Sequence, residues 1–200
     1  MQKAIDQFRV NISRVKNLGA IYCALDVQTT AVLDMTDVLR AELVLAVSAL
    51  DQYIHEVVKL GILSIHARAR PHTPAFLKFG VTLESALAGM NNPNDASWLK
   101  DTIKSNIGHK SFQKSDKIAE AIRLISDVKL WEEVGKQLNI QSSTAKDNID
   151  IIVDRRNKIA HESDIDPTNP GQLWPINSGL VDDSIMYIEQ LVEAIHVCIT

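Results

Sequence analysis

The chain has 200 residues, 46% of them hydrophobic, which is one domain's worth of sequence and enough apolar side chain for a real core. Its formal charge of −4 excludes indiscriminate binding to polyanions, so a nucleic-acid site has to be a local basic patch. Cys23 and Cys198 fit neither a zinc pattern nor a disulfide framework, and read as reduced thiols of a cytoplasmic protein.

No apolar run approaches the ~20 residues of a membrane span, and the N-terminus, with Lys3, Asp6 and Arg9, lacks a signal-peptide core. In chain order, residues 2–17 place Ile5, Phe8, Ile12 and Val15 at helical steps, an amphipathic helix that Gly19 ends or bends. A second helical piece runs from Ala20 to Val32, broken if the Thr29-Thr30 pair interrupts it. Residues 1–33 are thus expected as a helical extension, and 34–200 as the core of a single domain.

Met35 to Leu60 reads as a long central helix, capped by Thr36 or Asp34 and stopped at Gly61. Leu39, Leu43, Ala46, Leu50, Ile54 and Val57 form its core stripe; Arg40, Val44, Val47, Asp51 and Val58 form a second, mixed flank. An acid among valines costs several kcal/mol if buried unpaired, so Asp51 either lies at the surface or pairs with a cation, for which Arg156 is the candidate. His55, one turn on, is placed to share that site or simply to be solvated.

From Ile65 to Thr73, His66, Arg68, Arg70 and His72 alternate. An extended backbone there aligns four cations to track phosphates, while an ordinary basic loop is the equal alternative. Pro74 to Met90 reads as a helix with Phe76, Leu77, Val81, Leu83 and Leu87 as its apolar members. Asp95 or Asn94 caps the next, Ala96 to Ile107. Gly108 to Lys117 is irregular and basic, bringing His109, Lys110, Lys114 and Lys117 within reach of one another as a second polyanion patch or a solvated loop. Ser115 is expected to cap a helix through Ile125, and Asp127 one from Val128 to Leu138 with Trp131.

Ser142, Ser143 and Thr144 then offer N-caps for about five turns of uninterrupted helix. Ile149, Ile152, Val153, Ile159 and Ala160 share an arc that should face a core, and Arg156 falls in its middle. A guanidinium cannot shed its proton, so on an apolar face it needs an anion, internal or external. Asn157 and His161, spaced i, i+4, lie side by side on the flank of that arc. Beyond Pro167, Pro170 and Pro175, with Trp174, a last helix from Asp182 to Ile199 has Ile185, Ile188, Leu191, Val192 and Ile195 as its seam. No strand-period segment appears, so the fold class is all-α, a helical bundle with additional helices and a Pro-rich loop before the C-terminal helix.

HExxH, zinc-spaced Cys/His sets, a carboxylate cluster for two magnesium ions, phosphate loops, GxGxxG and a serine nucleophile elbow are all absent from the sequence. What remains is Asp154-Arg155-Arg156-Asn157-Lys158-Ile159-Ala160-His161-Glu162. This string resembles the signature of HEPN domains (higher eukaryotes and prokaryotes nucleotide-binding): an Arg, four to six residues beginning with a polar one, then a His near the end of a late helix. Trp98-Leu99, Ser111-Phe112-Gln113, Asp116-Lys117-Ile118-Ala119, Ser126-Asp127-Val128 with Trp131, and Asp166-Pro167 to Trp174-Pro175-Ile176 are similar to blocks of the RiboL-PSP-HEPN subgroup.

The resemblance implies an endoribonuclease of toxin or antiviral defence systems, working without metal or cofactor as a homodimer, with RNA as substrate and an antitoxin or defence partner. Arg156 and His161 would be catalytic, with Asn157 and Asp51 supporting them. Arg155 and Lys158, pointing away from the core, would meet RNA or solvent; Arg68, Arg70, His109, Lys110 and Lys114 are weaker RNA contacts. The competing implication is a non-catalytic RNA- or nucleotide-binding or partner-docking module. Some members carry a Tyr two residues after the His as a target of modification; Ser163 stands there in this chain, so that control is not implied.

Overall fold

The computed structural model describes residues 1–28, 34–92, 95–169 and 171–200. The Thr29-Thr30 pair, Val32, the Asn94 cap and Pro170 lie outside them. Among the described residues the chain forms eight α-helices and one short 3-10 turn, and strand-like pairing is confined to an isolated antiparallel bridge between Ile165 and Leu173. No described helix is long and apolar enough to cross a membrane, and both cysteines are free thiols.

The spine is α2, Thr36–His66, whose predicted core stripe from Leu39 to Val57 is fully buried. Asp34 Oδ1 accepts from the Thr36 N–H at 2.8 Å and so supplies the cap. Around this spine lie α1 (Gln2–Asp26), α8 (Ser178–Ile199) and α7 (Ser142–Glu162), with α6 (Leu130–Leu138) wedged against α7 and α8. The α8 seam Ile185, Ile188, Leu191, Val192 and Ile195 closes the core. At the far end of α2 sit α4 (Ser97–Ile107) and α5 (Ser115–Ile122), with α3 (Leu83–Asn91) on α4.

Neither expected glycine stop is a stop. α1 runs through Gly19 to Asp26, and α2 runs through Gly61 to His66. Both glycines are sites of close approach: a Cβ at Gly19 would stand 2.7 Å from Glu42 Oε1, and one at Gly61 2.5 Å from Ile125 Cγ2. The helix accepts glycine's propensity cost, about 1 kcal/mol, because tertiary packing there leaves no room for a side chain.

The expected helix from Pro74 to Met90 divides into the 3-10 turn Phe76–Lys78 and α3, because Thr82 caps the latter by accepting from Ser85 N–H at 3.1 Å. Its apolar members Leu77, Val81, Leu83 and Leu87 are exposed, and Phe76 is half-buried. α5 is capped across space by Asp150 of α7, which accepts from Ser115 N–H at 2.8 Å and from its hydroxyl at 2.7 Å; Ser115 itself is not the cap. α6 starts at Leu130, two residues later than expected, and Asp127 does not cap it.

Glu42 is buried at the contact of α1 and α2 with Oε2 lacking any hydrogen-bond partner. Burial, with Asp182 of α8 adding repulsion, pushes its carboxyl up to about 7 from an ordinary 4.5. Between those values the unfolded chain has lost this proton while the fold keeps it, so stability falls as pH rises from about 4.5 to 7 and then levels off. Glu42→Gln removes the ionisation. In urea unfolding the variant should gain on the native chain by roughly 2–3 kcal/mol between pH 5 and pH 8, and parallel stability curves would show that Glu42 is not the proton-linked group.

Candidate functional site around Arg156

α7 delivers the motif. Ile149, Ile152 and Val153 face the core as predicted, whereas Ile159 is half-buried and Ala160 exposed, because the helix end extends past the neighbours that cover its middle. Arg156 sits at that transition, half-buried. Its Nη2 donates to Gln113 Oε1 at 2.5 Å and its Nη1 to Asn157 Oδ1 at 3.0 Å; Nε is buried without a partner. Among the described residues no carboxylate lies within ion-pair distance of it.

The expected Asp51–Arg156 pair is therefore not formed. Gln113, only 7% exposed, stands between the two: its Nε2 donates to Asp51 Oδ2 at 3.3 Å while its Oε1 holds Arg156. An amide can bridge opposite charges because it donates at one end and accepts at the other, yet it neutralises neither. Asp51 is satisfied separately, accepting from Phe112 N–H at 2.6 Å, with His55 Nε2 4.0 Å from Oδ1. The His55 ring also packs on Phe112 at 4.6 Å, so His55 does share the Asp51 environment.

His161, five residues on, is exposed and makes no side-chain hydrogen bond to another described residue. Asn157 is turned to Arg156, not to the imidazole as its i, i+4 spacing suggested. The motif thus presents a cation held by two neutral oxygens and, near the helix end, a free imidazole. Among the described residues no group of three or more His, Cys, Asp and Glu is arranged to hold a metal ion.

Arg155 is not a solvent- or RNA-facing residue. Its Nη1 lies 2.7 Å from Asp164 Oδ1 and its Nη2 donates to Oδ2 at 2.8 Å, with the carbonyls of Trp174 and Pro175 at 3.2 and 3.3 Å. Arg40 joins the same acid through Nε at 2.8 Å and donates to Trp174 O at 3.0 Å. Asp164 is 1% exposed. Burial draws the Arg155 guanidinium below its ordinary range, with Asp164 opposing and Arg40 reinforcing. The loop after α7 turns back through left-handed Ser163 and Asp164 (φ 53° and 55°), and the Asp164 N–H closes the helix onto Lys158 O at 3.0 Å. Lys158 places its ammonium 4.8 Å over the half-buried Trp174 ring, so it too is engaged within the fold.

The weaker basic candidates do not form one patch. Arg70 donates to Ile199 O, Arg68 sits exposed in a left-handed turn after α2, and His66 packs edge-on against Trp98 at 5.5 Å. The extended stripe is absent because α2 takes in His66 and the chain then turns through a left-handed Arg68, so the equal alternative, an ordinary loop, is what forms. Lys114 is tied to Asp154 of α7, Lys110 and Lys117 share Glu120, and His109 Nδ1 faces Ser105 O. Gln113 entered the sequence reading only within the Ser111-Phe112-Gln113 block of the family resemblance, with no role at the site, and Asp164 did not enter it. Nothing in the spacing marks either, although Arg40 among the valines of α2 already signalled a buried acid somewhere.

The family model described as RiboL-PSP-HEPN matches residues 11–200. Neither the curated proteins nor the solved structures give a match to this chain.

Asp164 holds a buried guanidinium, Arg40, and a partly buried one, Arg155, so removing its charge leaves Arg155 without an acid and Arg40 with only the exposed Asp37, 3.5 Å away. Asp164→Asn, which keeps the left-handed backbone acceptable, is expected to cost about 3–5 kcal/mol in urea unfolding. A loss below about 1 kcal/mol would mean that the backbone carbonyls alone satisfy the arginines.

Proposed function

The chain belongs to the RiboL-PSP-HEPN family, and from that membership and the state of Arg156 we propose that it is a metal-independent endoribonuclease acting as a homodimer. One observation carries the reading: a permanent, half-buried cation is positioned by neutral amides and left without a carboxylate, so its charge remains available to an external anion. A phosphodiester is such an anion, and a guanidinium can clamp two of its oxygens at once.

In this reading a 2′-hydroxyl attacks the neighbouring phosphorus, its proton passing to a base. The 2′-O–P bond forms, the P–5′-O bond breaks, and a second proton goes to the departing 5′-oxygen. The products are a 2′,3′-cyclic phosphate and a free 5′-hydroxyl. Arg156 stabilises the charge gained at the phosphorane. His161, exposed and free of internal hydrogen bonds, is the proton carrier. One imidazole cannot serve as base and acid together. A two-fold axis beside the end of α7 supplies the second, because an isologous interface sets identical residues opposite each other. A toxin or antiviral role in the cytoplasm, with a dedicated antidote, belongs to the same proposal.

The decisive assay incubates labelled RNA with the chain in excess chelator and measures mass in solution. Arg156→Ala and His161→Ala should each reduce cleavage by about 10²-fold or more while leaving a folded particle of twice the chain mass. Cleavage indifferent to His161→Ala, with RNA still bound, would instead assign the chain to a non-catalytic RNA-binding or docking role.

Gln113→Glu addresses the charge balance directly, since it places a carboxylate where the amide oxygen meets Arg156. The variant should raise KM for RNA about tenfold or more with a smaller change in kcat, the internal acid competing with phosphate. An unaltered KM would remove Arg156 from substrate contact.

A further inference from the structure

On the other side of the loop that holds Arg156 lies an open cleft of about 420 Å³, between the Phe76–Lys78 turn, the end of α4 and α5. That volume is within the range of small-molecule sites, roughly 300–1,000 Å³. Phe79, Ile107, Phe112 and Leu124 give it an apolar lining, and Lys78, His109 and Lys110 stand around it. Glu120 is the one acid among its lining residues, and it already faces two ammoniums, Lys117 at 3.3 Å and Lys110 at 3.7 Å. Lys78 has no ion-pair partner among the described residues, and His109, with Nδ1 on Ser105 O, keeps Nε2 free. Cationic groups exceed acidic ones here, although the chain as a whole carries −4.

We propose that this cleft is a binding site for a small aromatic anion, whose charge meets Lys78 and whose ring lies on Phe79 and Leu124, and that occupancy is transmitted to Arg156. The connection is covalent and short. Lys110 lines the cleft and its carbonyl is 3.0 Å from His55 Nε2; Phe112 lines it and its N–H donates to Asp51 at 2.6 Å. The next residue is Gln113, which holds the guanidinium. Residues 110–113 are thus a strap with the cleft on one side and Asp51, His55 and Arg156 on the other. A ligand that shifts Lys110 or Phe112 changes the geometry in which Gln113 presents Arg156. Binding in the cleft is independent of RNA cleavage; only its effect on cleavage rests on the proposed nuclease activity.

The probe is 1-naphthyl phosphate, titrated into the full chain by fluorescence and calorimetry, with 1-naphthol and inorganic phosphate as its two halves. Saturable binding with Kd on the order of 10–100 μM is expected, with each half at least about tenfold weaker. Lys78→Glu should weaken binding about tenfold or more, whereas Lys100→Glu, exposed on α4 outside the cleft, should not. Absence of saturation by about 1 mM, or a Kd indifferent to Lys78→Glu, overturns the site. Inorganic phosphate binding as tightly as the ester overturns the aromatic assignment. With the probe bound, the nitrogen-15 resonance of Arg156 Nε should move; a fixed resonance overturns the transmission while leaving the nuclease proposal intact. Loss of RNA cleavage in chelator with probe binding preserved would remove that activity and leave the cleft standing.

Discussion

A single buried carboxylate fastens the parts of this molecule that sequence separation would otherwise leave independent. Asp164 receives Arg40 from the start of α2 and Arg155 from the last turns of α7, while its own backbone pairs with Trp174 across the returning loop. Two guanidiniums on one acid leave a net positive charge inside the protein. The carbonyl dipoles of Trp174 and Pro175 absorb part of it, which is why the loop must fold back over the helix end. The clasp ties the last turns of α7 to the start of α2, beyond the stretch where Ile149, Ile152 and Val153 pack it into the core.

Adjacent residues on α7 consequently have opposite electrostatic fates. Arg155 is neutralised by an internal acid and is part of the scaffold; Arg156, one position on, is held only by amide oxygens. The distinction lies in the partner's chemistry and not in depth, since both arginines are partly buried. Had Gln113 been a glutamate, both cations would be internally balanced and the end of α7 would have no unmet charge to offer. A neutral hydrogen-bond acceptor fixes the direction of a guanidinium without consuming its charge, which is the condition a phosphate-binding arginine has to meet.

The helical stripes were legible in the sequence because burial and period coincide in them: every predicted core position of α2 from Leu39 to Val57, and the whole α8 seam, is inside. Arg156 was legible as a cation at the edge of an apolar arc, whereas the arc itself stops short of Ala160 and Asn157 turns to Arg156 and not to His161. Gly19 and Gly61 misled because their local meaning, a helix end, and their tertiary meaning, a close approach, are written with the same residue. Asp51 was recognised as anomalous, with a surface position or a pair with Arg156 as the alternatives, and the pair does not form. Its actual ligands, the Phe112 N–H and the Gln113 amide, come from an irregular loop sixty-odd residues away that has no periodicity to read. Arg155 was misassigned because a helical wheel ends where the helix does, and the acid that captures it lies just beyond, on a left-handed turn.

Charge is spent locally over this surface. Lys114 faces Asp154, Lys110 and Lys117 face Glu120, Lys158 covers Trp174, and Arg40 and Arg155 face Asp164. An acidic chain that pairs its cations in this way has no broad positive field with which to gather a polyanion from a distance. In the proposed nuclease long-range attraction would therefore contribute little, and a strand would be held at Arg156 by the fit of its phosphate to an oriented guanidinium. On that proposal, selection by fit at one phosphate, instead of by summed charge, would favour a nucleic acid whose backbone is already bent or unpaired at the point of contact, because only there are the 2′-hydroxyl and the phosphate both free to turn toward the protein.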